Sequence, residues 1–389
     1  MNQGKYIFAQ LTDFLPRRVF DRIVDKYEGN KRVRSFICWN QMLCMVFGQL
    51  IARDSMRDLI LSLEAHQSKY YHLGFGPTIS RRNLGTANEK RDCKIFEEFA
   101  YVRIAEARRS CYRGDFEIEI DGNVYGLDST TIDLCLNIFW WAEFRKHKGG
   151  IKLHTLFDIK TSILSFLHIS TAKVLDVNIM DIIPYEKRSF YVSDKGYTDF
   201  LRLHRIHTNG SFFVISAKDN LQFRRMYSKR VDKSTGALND HIGKLVVYKS
   251  KTEYPEKLRR IKYYDSEHDL NLVFLTNNMD LSFTDIALLY KKRWAVELFF
   301  KWMKQHLKIK SFWGTTLNAV KIQMYCAVIA YCLVALVGYK LKVNRTIYEI
   351  LQIMSISLLD KAPIREILTR CDYNNVKEPK NNQLIISGF

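Results

Sequence analysis

Four side chains suited to phosphate chemistry recur over one short stretch, Tyr290-Lys-Lys-Arg293-Trp-Ala-Val-Glu297-Leu-Phe-Phe-Lys-Trp-Met-Lys304. The apolar spacing predicts a helix, and at about 100° per residue Tyr290, Arg293, Glu297 and Lys304 fall within one arc of roughly 60°. A carboxylate flanked by an arginine and a lysine stays ionised at neutral pH. The guanidinium can hold phosphate oxygens bidentately and the ammonium as a point charge. Such a row suits metal-assisted phosphoryl transfer. The plainer alternative is an exposed amphipathic helix laced with i, i+4 ion pairs.

Two aspartates upstream follow apolar, strand-like runs: Asp128 in Gly126-Leu-Asp128-Ser-Thr130 and Asp194 in Ser193-Asp194-Lys-Gly-Tyr197. Alone, each reads more often as a turn former or helix cap. A two-metal site needs oxygen ligands from separate elements converging on one spot, and two strand ends plus a helix can supply them. Among the neighbours, Asp121 precedes Gly122 and suits a turn, and Asp133 lies beyond the Ser-Thr pair. Asp181 and Asp199 follow no uninterrupted apolar strand. His154, in Gly149-Gly-Ile-Lys152-Leu-His154, is either a hydrogen-bonded core residue or a supporting group near the site. His204 and His207 stand at i, i+3 with no third ligand nearby and are read as helix-end residues.

Taken in order, Y-(2)-R-(3)-E-(6)-K, with Trp294 after the arginine, resembles the signature of the IS4-type DDE transposases. The resemblance implies that Asp128, Asp194 and Glu297 are the metal-binding catalytic acids, holding two Mg²⁺ or Mn²⁺ ions per site. It implies that Tyr290, Arg293 and Lys304 bind DNA phosphates. The expected activity is cut-and-paste transposition: cleavage at the inverted-repeat ends, then strand transfer, with a hairpin on the transposon end. The partners are then double-stranded DNA, both inverted repeats and target, and a second copy in a homodimer on DNA, with no membrane. In a known member a tryptophan of the insertion stacks a flipped base. Here the insertion has no tryptophan, and Phe223, Tyr227, Tyr248, Tyr254, Tyr263 or Tyr264 would have to serve that purpose. A structure-selective nuclease of the same fold would share the acids, and a catalytically silent DNA-binding protein would have no reason to keep them.

The elements that must position these residues are legible in outline. Up to about Arg113 the pattern is helical: Trp39 to Ile51, Met56 to Leu63, and a helix capped by Ser80 whose first turn presents Arg81, Arg82 and Asn83. A basic, Asn-bearing first turn suits a recognition helix in the major groove; the alternative is a small bundle with a charged, solvated face. Phe8-Ala-Gln-Leu, Phe14-Leu-Pro16 and Ala87-Asn88-Glu-Lys-Arg91 resemble the amino-terminal domain often attached to IS4-type transposases, which implies binding of the terminal repeats. From Phe116 the period changes to two. Strands are expected over 116–121, 124–128, 149–159 and 163–169, a helix over 172–183, a strand over 189–194, a helix over 198–207 and a strand over 211–216. That order, with the resemblance, implies a ribonuclease-H-like α/β catalytic domain. Further strands are expected at 244–249, 261–264 and 270–276, and one helix from about Thr284 to Leu307. The expected division is a helical DNA-binding domain (1–115), a catalytic domain (116–217 and 278–370) broken by a basic β-rich insertion (218–277), C-terminal helices, and a polar tail (371–389).

Composition agrees with a nucleic-acid partner. The 389 residues, 47% apolar and 13% aromatic, can bury a full core and exclude a largely disordered chain. Net charge is +19, concentrated in Lys218–Lys262, with thirteen Lys/Arg against five Asp/Glu, and in Lys291–Lys310, with seven against one. Such local excess predicts salt-sensitive phosphate contacts, although a basic ribosome-associated or membrane-surface protein would share it. Eight cysteines without C-x-x-C spacing read as buried thiols of a reducing compartment. Met1 to Tyr6 lacks the apolar core of a secretion signal, so a prokaryotic cytoplasm with access to the nucleoid is expected. Ile322 to Tyr339 is long and uncharged but carries Gln323 and three tyrosines, and reads as a core helix.

Overall fold

Ten strands form one mixed sheet: β1 (Val124–Leu134), β2 (Glu143–Arg145), β3 (Lys148–Asp158), β4 (Ile163–Thr171), β5 (Phe190–Ser193), β6 (Phe212–Ser216), β7 (Phe223–Lys229), β8 (Ala237–Leu245), β9 (Leu258–Asp265) and β10 (Leu270–Thr276). The computed structural model describes residues 4–77, 79–111, 116–145, 148–266, 269–307, 309 and 311–369, so the expected polar tail (371–389) and Cys371 lie outside the described residues. The spatial order β4-β3-β1-β5-β6 is antiparallel on one side of β1 and parallel on the other, the arrangement expected of a ribonuclease-H-like core. Strand β10 then pairs antiparallel with β6, and β9, β8 and β7 follow, so the basic 218–277 segment extends the same sheet.

Alternation of side chains sorts the two faces of this sheet. Tyr125, Leu127, Tyr191, Phe213 and Ile215 pack on one side with Leu203 and Ile206 of the Phe200–Thr208 helix. Val124, Phe190, Val192, Val214 and Phe274 pack on the other against Ile286 and Leu289 of the Phe283–Lys292 helix. Helices wrap the β3–β4 end. Leu317–Lys340 is long and apolar enough to cross a membrane, but 94% of its apolar window is buried, against Lys94–Ser110 and Cys38–Leu50 among others. Ile7 N and Phe8 N donate to Asp360 O and Leu358 O, at 3.0 and 2.9 Å. Among the described residues, the helices up to Cys111 share one apolar core with the C-terminal helices.

Several local expectations are corrected. Phe116 to Asp121 is not a strand: Phe116, Ile118 and Ile120 line the core but no strand pairs with them, so their period of two reports one buried side and not a ladder. The helix expected over 172–183 is only the 3₁₀ turn Asp176–Asp181, too short before Pro184 to propagate. Strand β8 stops at Leu245 and Tyr248–Glu253 is helical. Strand β7 is an exposed edge, so it carried no alternation to read. Cys135 is exposed, and Cys93 and Cys111 are half-buried; all seven described cysteines are free thiols. The Ser80 cap is as expected, its hydroxyl accepting from Asn83 N at 3.2 Å. Ser80→Ala should lower stability by about 1 kcal/mol, read from the denaturant midpoint.

Candidate active site

Register decides where the aspartates meet. Strands β1 and β5 run parallel with Gly126 opposite Val192, so two residues further on Asp128 and Asp194 are neighbours. Both belong to the series, Val124-Gly126-Asp128 and Phe190-Val192-Asp194, that faces the covering helices. Strand β1 continues past Asp128 to Leu134, so this acid lies mid-strand, where β1 leaves β5 behind and keeps only β3. The helix carrying Glu297 packs directly over Gly126: a Cβ there would lie in van der Waals contact with Val296 Cβ, at 3.6 Å, and Arg293 O, at 3.8 Å.

The helix that brings Glu297 is broken. Phe283–Lys292 ends and Trp294–His306 begins at Arg293, where Arg293 N donates to Tyr290 O and Val296 N to Arg293 O in tight i to i+3 bonds. The continuous helix expected from about Thr284 to Leu307 is thus two, joined at Arg293 by one tightened turn in which Arg293 keeps helical dihedrals, φ −55° and ψ −30°. Its Nη1 donates to Asp128 Oδ2 at 3.3 Å and its Nη2 to Glu297 Oε1 at 2.6 Å. The guanidinium lies 5.6 Å from the Tyr290 ring centroid, and that ring packs on Phe274 of β10. Lys304 Nζ donates to Thr131 O at 3.0 Å. Asp128, Glu297, Phe300, Lys301 and Lys304 line one open cleft of about 460 Å³.

Electrostatics mark the same spot. Burial pushes the Asp128 carboxyl up to about 6; the Ser129 N–H, 2.7 Å from Oδ1, and Arg293 oppose this, while Asp194 and Glu297 reinforce it. Burial works against the Arg293 charge too, but Tyr290, Glu297 and Asp128 together hold its pKa above the usual value. Asp194 Oδ1 accepts from Gly196 N at 2.8 Å, so it also caps a turn. Among the described residues no three His, Cys, Asp or Glu side chains are grouped closely enough to hold one ion. In this arrangement Arg293 is the cation between Asp128 and Glu297. The donor types are those a hard divalent ion takes: three carboxylates from separate elements, Asp128 being raised chiefly by burial and then by its like-charged neighbours Asp194 and Glu297.

A model of the transposase DDE domain matches residues 121–333, which span the sheet, the cleft and all three acids. The chain belongs to the DDE transposases. Proteins named as transposases match it widely. One of Sinorhizobium fredii, y4zB, is 31% identical over 275 residues, covering 70% of this chain and 74% of the relative. One for insertion sequence element IS4SA of Synechocystis is 25% identical, covering 74% and 80%. One for IS5377 of Geobacillus stearothermophilus is 29% identical, covering 53% and 54%. A model described as a domain of unknown function (DUF4372) matches residues 3–76. The protein is a DNA transposase of the insertion-sequence kind, and its family is divalent-metal dependent.

The transposase uses the weighed alternatives elsewhere. Asp181 pairs with Arg202 and Arg205, and Asp199 caps the Phe200–Thr208 helix. His207 bonds the Tyr254 hydroxyl at 2.6 Å and His204 packs on its ring. Asp121 and Asp133 are exposed. Arg81, Arg82 and Asn83 are exposed on the first turn of Arg81–Lys90 and do not line the cleft. The connection from Glu64 to Arg81 contains Gln67–Lys69 and Tyr70–Leu73, far longer than the 3–4-residue turn of a helix-turn-helix. Asp176 was not anticipated: it accepts from Ser129 Oγ at 2.5 Å, beside Asp128. No strand or helix signature singles it out.

Proposed function

We propose that the transposase cuts DNA at its inverted-repeat ends and transfers the freed strand, with Asp128, Asp194 and Glu297 holding two Mg²⁺ or Mn²⁺ ions. The observation that carries this is Arg293 bridging Asp128 and Glu297 beside Asp194: a cationic position already built between acids from a strand and a helix. Bound divalent ions supply Lewis acidity and a water of lowered pKa. Arg293 and Lys304 hold the phosphates flanking the cut and offset their charge, and Tyr290 orients Arg293 and donates its hydroxyl to a phosphate oxygen. The first cut frees a 3′-hydroxyl, whose oxygen attacks a phosphodiester of the opposite strand or of target DNA and displaces that strand's 3′-oxygen, so that one P–O bond forms as one breaks and the product is a hairpin or a joined strand.

Arg81, Arg82 and Asn83 contact terminal-repeat DNA in this reading, and the basic strands β7 to β9 hold the backbone. A homodimer on DNA brings two ends together, in a cytoplasm open to the chromosome. The test is incubation with Mg²⁺ and a duplex carrying the repeats that flank the gene, with products resolved on a denaturing gel. Nicked, hairpin and strand-transfer products are expected. Cleavage without joining would make the protein a nuclease, and binding without metal-dependent cutting would leave only DNA binding. Affinity should fall steeply with salt, log K declining with log salt by roughly 0.9 for each phosphate neutralised.

A further inference from the structure

We propose that Asp176 is a positioning residue of this site: it anchors Ser129 from the far side of the sheet, so that the Ser129 amide fixes one oxygen of Asp128 and leaves the other facing Glu297. The inference rests on the reading that Asp128 holds a metal ion, and adds a residue to it.

The contacts form a short chain. Ser129 N donates to Asp128 Oδ1 at 2.7 Å, while Asp128 Oδ2 faces Arg293 and, through it, Glu297. The Ser129 hydroxyl donates to Asp176 Oδ1 at 2.5 Å, the length of a charge-assisted bond. On β3, Ser129 stands opposite His154 and Thr131 opposite Lys152, so these side chains share the face turned away from Glu297. Lys152 Nζ lies 3.1 Å from Asp176 Oδ1 and donates to Val174 O at 2.9 Å. Asp176 opens its 3₁₀ turn directly over this face.

Two buried groups close the arrangement. His154 is fully buried, with Nε2 bonded to Ser170 Oγ at 2.9 Å and Nδ1, which has no hydrogen-bond partner, aimed at Asp176 Oδ1 from 3.6 Å. Burial pushes its pKa down to about 4, although Asp176 opposes this, so the ring is neutral at pH 7. Tyr197 is 2% exposed, and its phenol is held protonated by burial and by Asp128, Asp176 and Asp194 together. Asp176 thus stands one side chain away from Asp128, its Oδ1 serving both Ser129 and Lys152. Groups that orient metal ligands in this way typically set affinity by 10–100-fold.

The test uses full-length Asp176→Asn and Ser129→Ala proteins bound to repeat DNA, with Asp128→Asn alongside. Mn²⁺ affinity is read from the free-ion EPR signal, and cleavage is measured across Mn²⁺ concentrations. Both positioning variants should bind Mn²⁺ roughly 10–100-fold more weakly and recover most of the parental cleavage rate at saturating Mn²⁺. Parental Mn²⁺ affinity in both, or a rate loss that Mn²⁺ does not restore, would overturn the proposal. If Asp176→Asn does not fold, Ser129→Ala decides by the same criterion, since it breaks the link without stranding Lys152. Parental Mn²⁺ binding by Asp128→Asn would instead remove the metal-site reading itself.

Discussion

Glu297→Gln is expected to lower strand cleavage by roughly a thousandfold, because a metal-bound carboxylate supports several kcal/mol of transition-state stabilisation and each 1.36 kcal/mol is a factor of ten. DNA affinity should stay near the parental value, since Arg293 and Lys304 remain. The fold should also be little affected. The pair that Glu297 makes with Arg293 leaves the glutamate side chain 32% exposed, and glutamine can still accept from the guanidinium. Single-turnover cleavage, fluorescence anisotropy and a thermal melt separate the three quantities. Cleavage within tenfold of the parent would remove Glu297 from the catalytic group.

Asp240→Ala should destabilise the fold by about 3–5 kcal/mol, the usual result of stranding one partner of a buried ion pair. Arg259 and Asp240 are each 2% exposed at the side chain, and the guanidinium meets the carboxylate twice, at 2.9 and 2.6 Å. Its remaining arm donates to Leu281 O at 2.6 Å, just before Ser282 caps the helix that carries Tyr290. The pair thus ties β8 and β9 to the start of the helices that carry Tyr290 and Glu297. Urea denaturation measures the loss. The double variant Asp240→Leu with Arg259→Met should regain most of the stability, because well-packed apolar residues can replace a buried pair at little net cost. A loss under 1 kcal/mol in Asp240→Ala would show that water reaches the pair.

The candidate acids are easier to single out in the sequence than the residues that support them. Asp128, Asp194 and Glu297 are picked out by apolar runs before each aspartate, a helical row ending in Lys304, and the motif resemblance that orders the three. Strand β10 and the helices Cys38–Leu50 and Met56–Glu64 are recognisable for the same reason, since each has one clear apolar period. What escapes is set by partners distant in sequence. The tightened turn at Arg293 has no proline or glycine to announce it, and the guanidinium's bond to Asp128 spans 165 residues of sequence. Asp176 is defined by Ser129 and Lys152, and the unpaired segment at Phe116 by the core it lines. Edge strand β7 is exposed on both sides, so its pairing with β8 leaves no hydrophobic period. The shared core of the amino-terminal and C-terminal helices is likewise invisible locally, because every helix involved would read the same in a separate bundle.

Iron-directed backbone cleavage would test the central claim most directly. Fe²⁺ replaces Mg²⁺ on the DNA-bound protein, ascorbate and peroxide are added, and the fragments are sized. Cuts clustered at residues 128, 194 and 297 are expected, all suppressed by excess Mg²⁺ and weakened together in Asp128→Asn. Cuts at only one of these places, or cuts that Mg²⁺ does not suppress, would contradict a metal centre shared by the three acids.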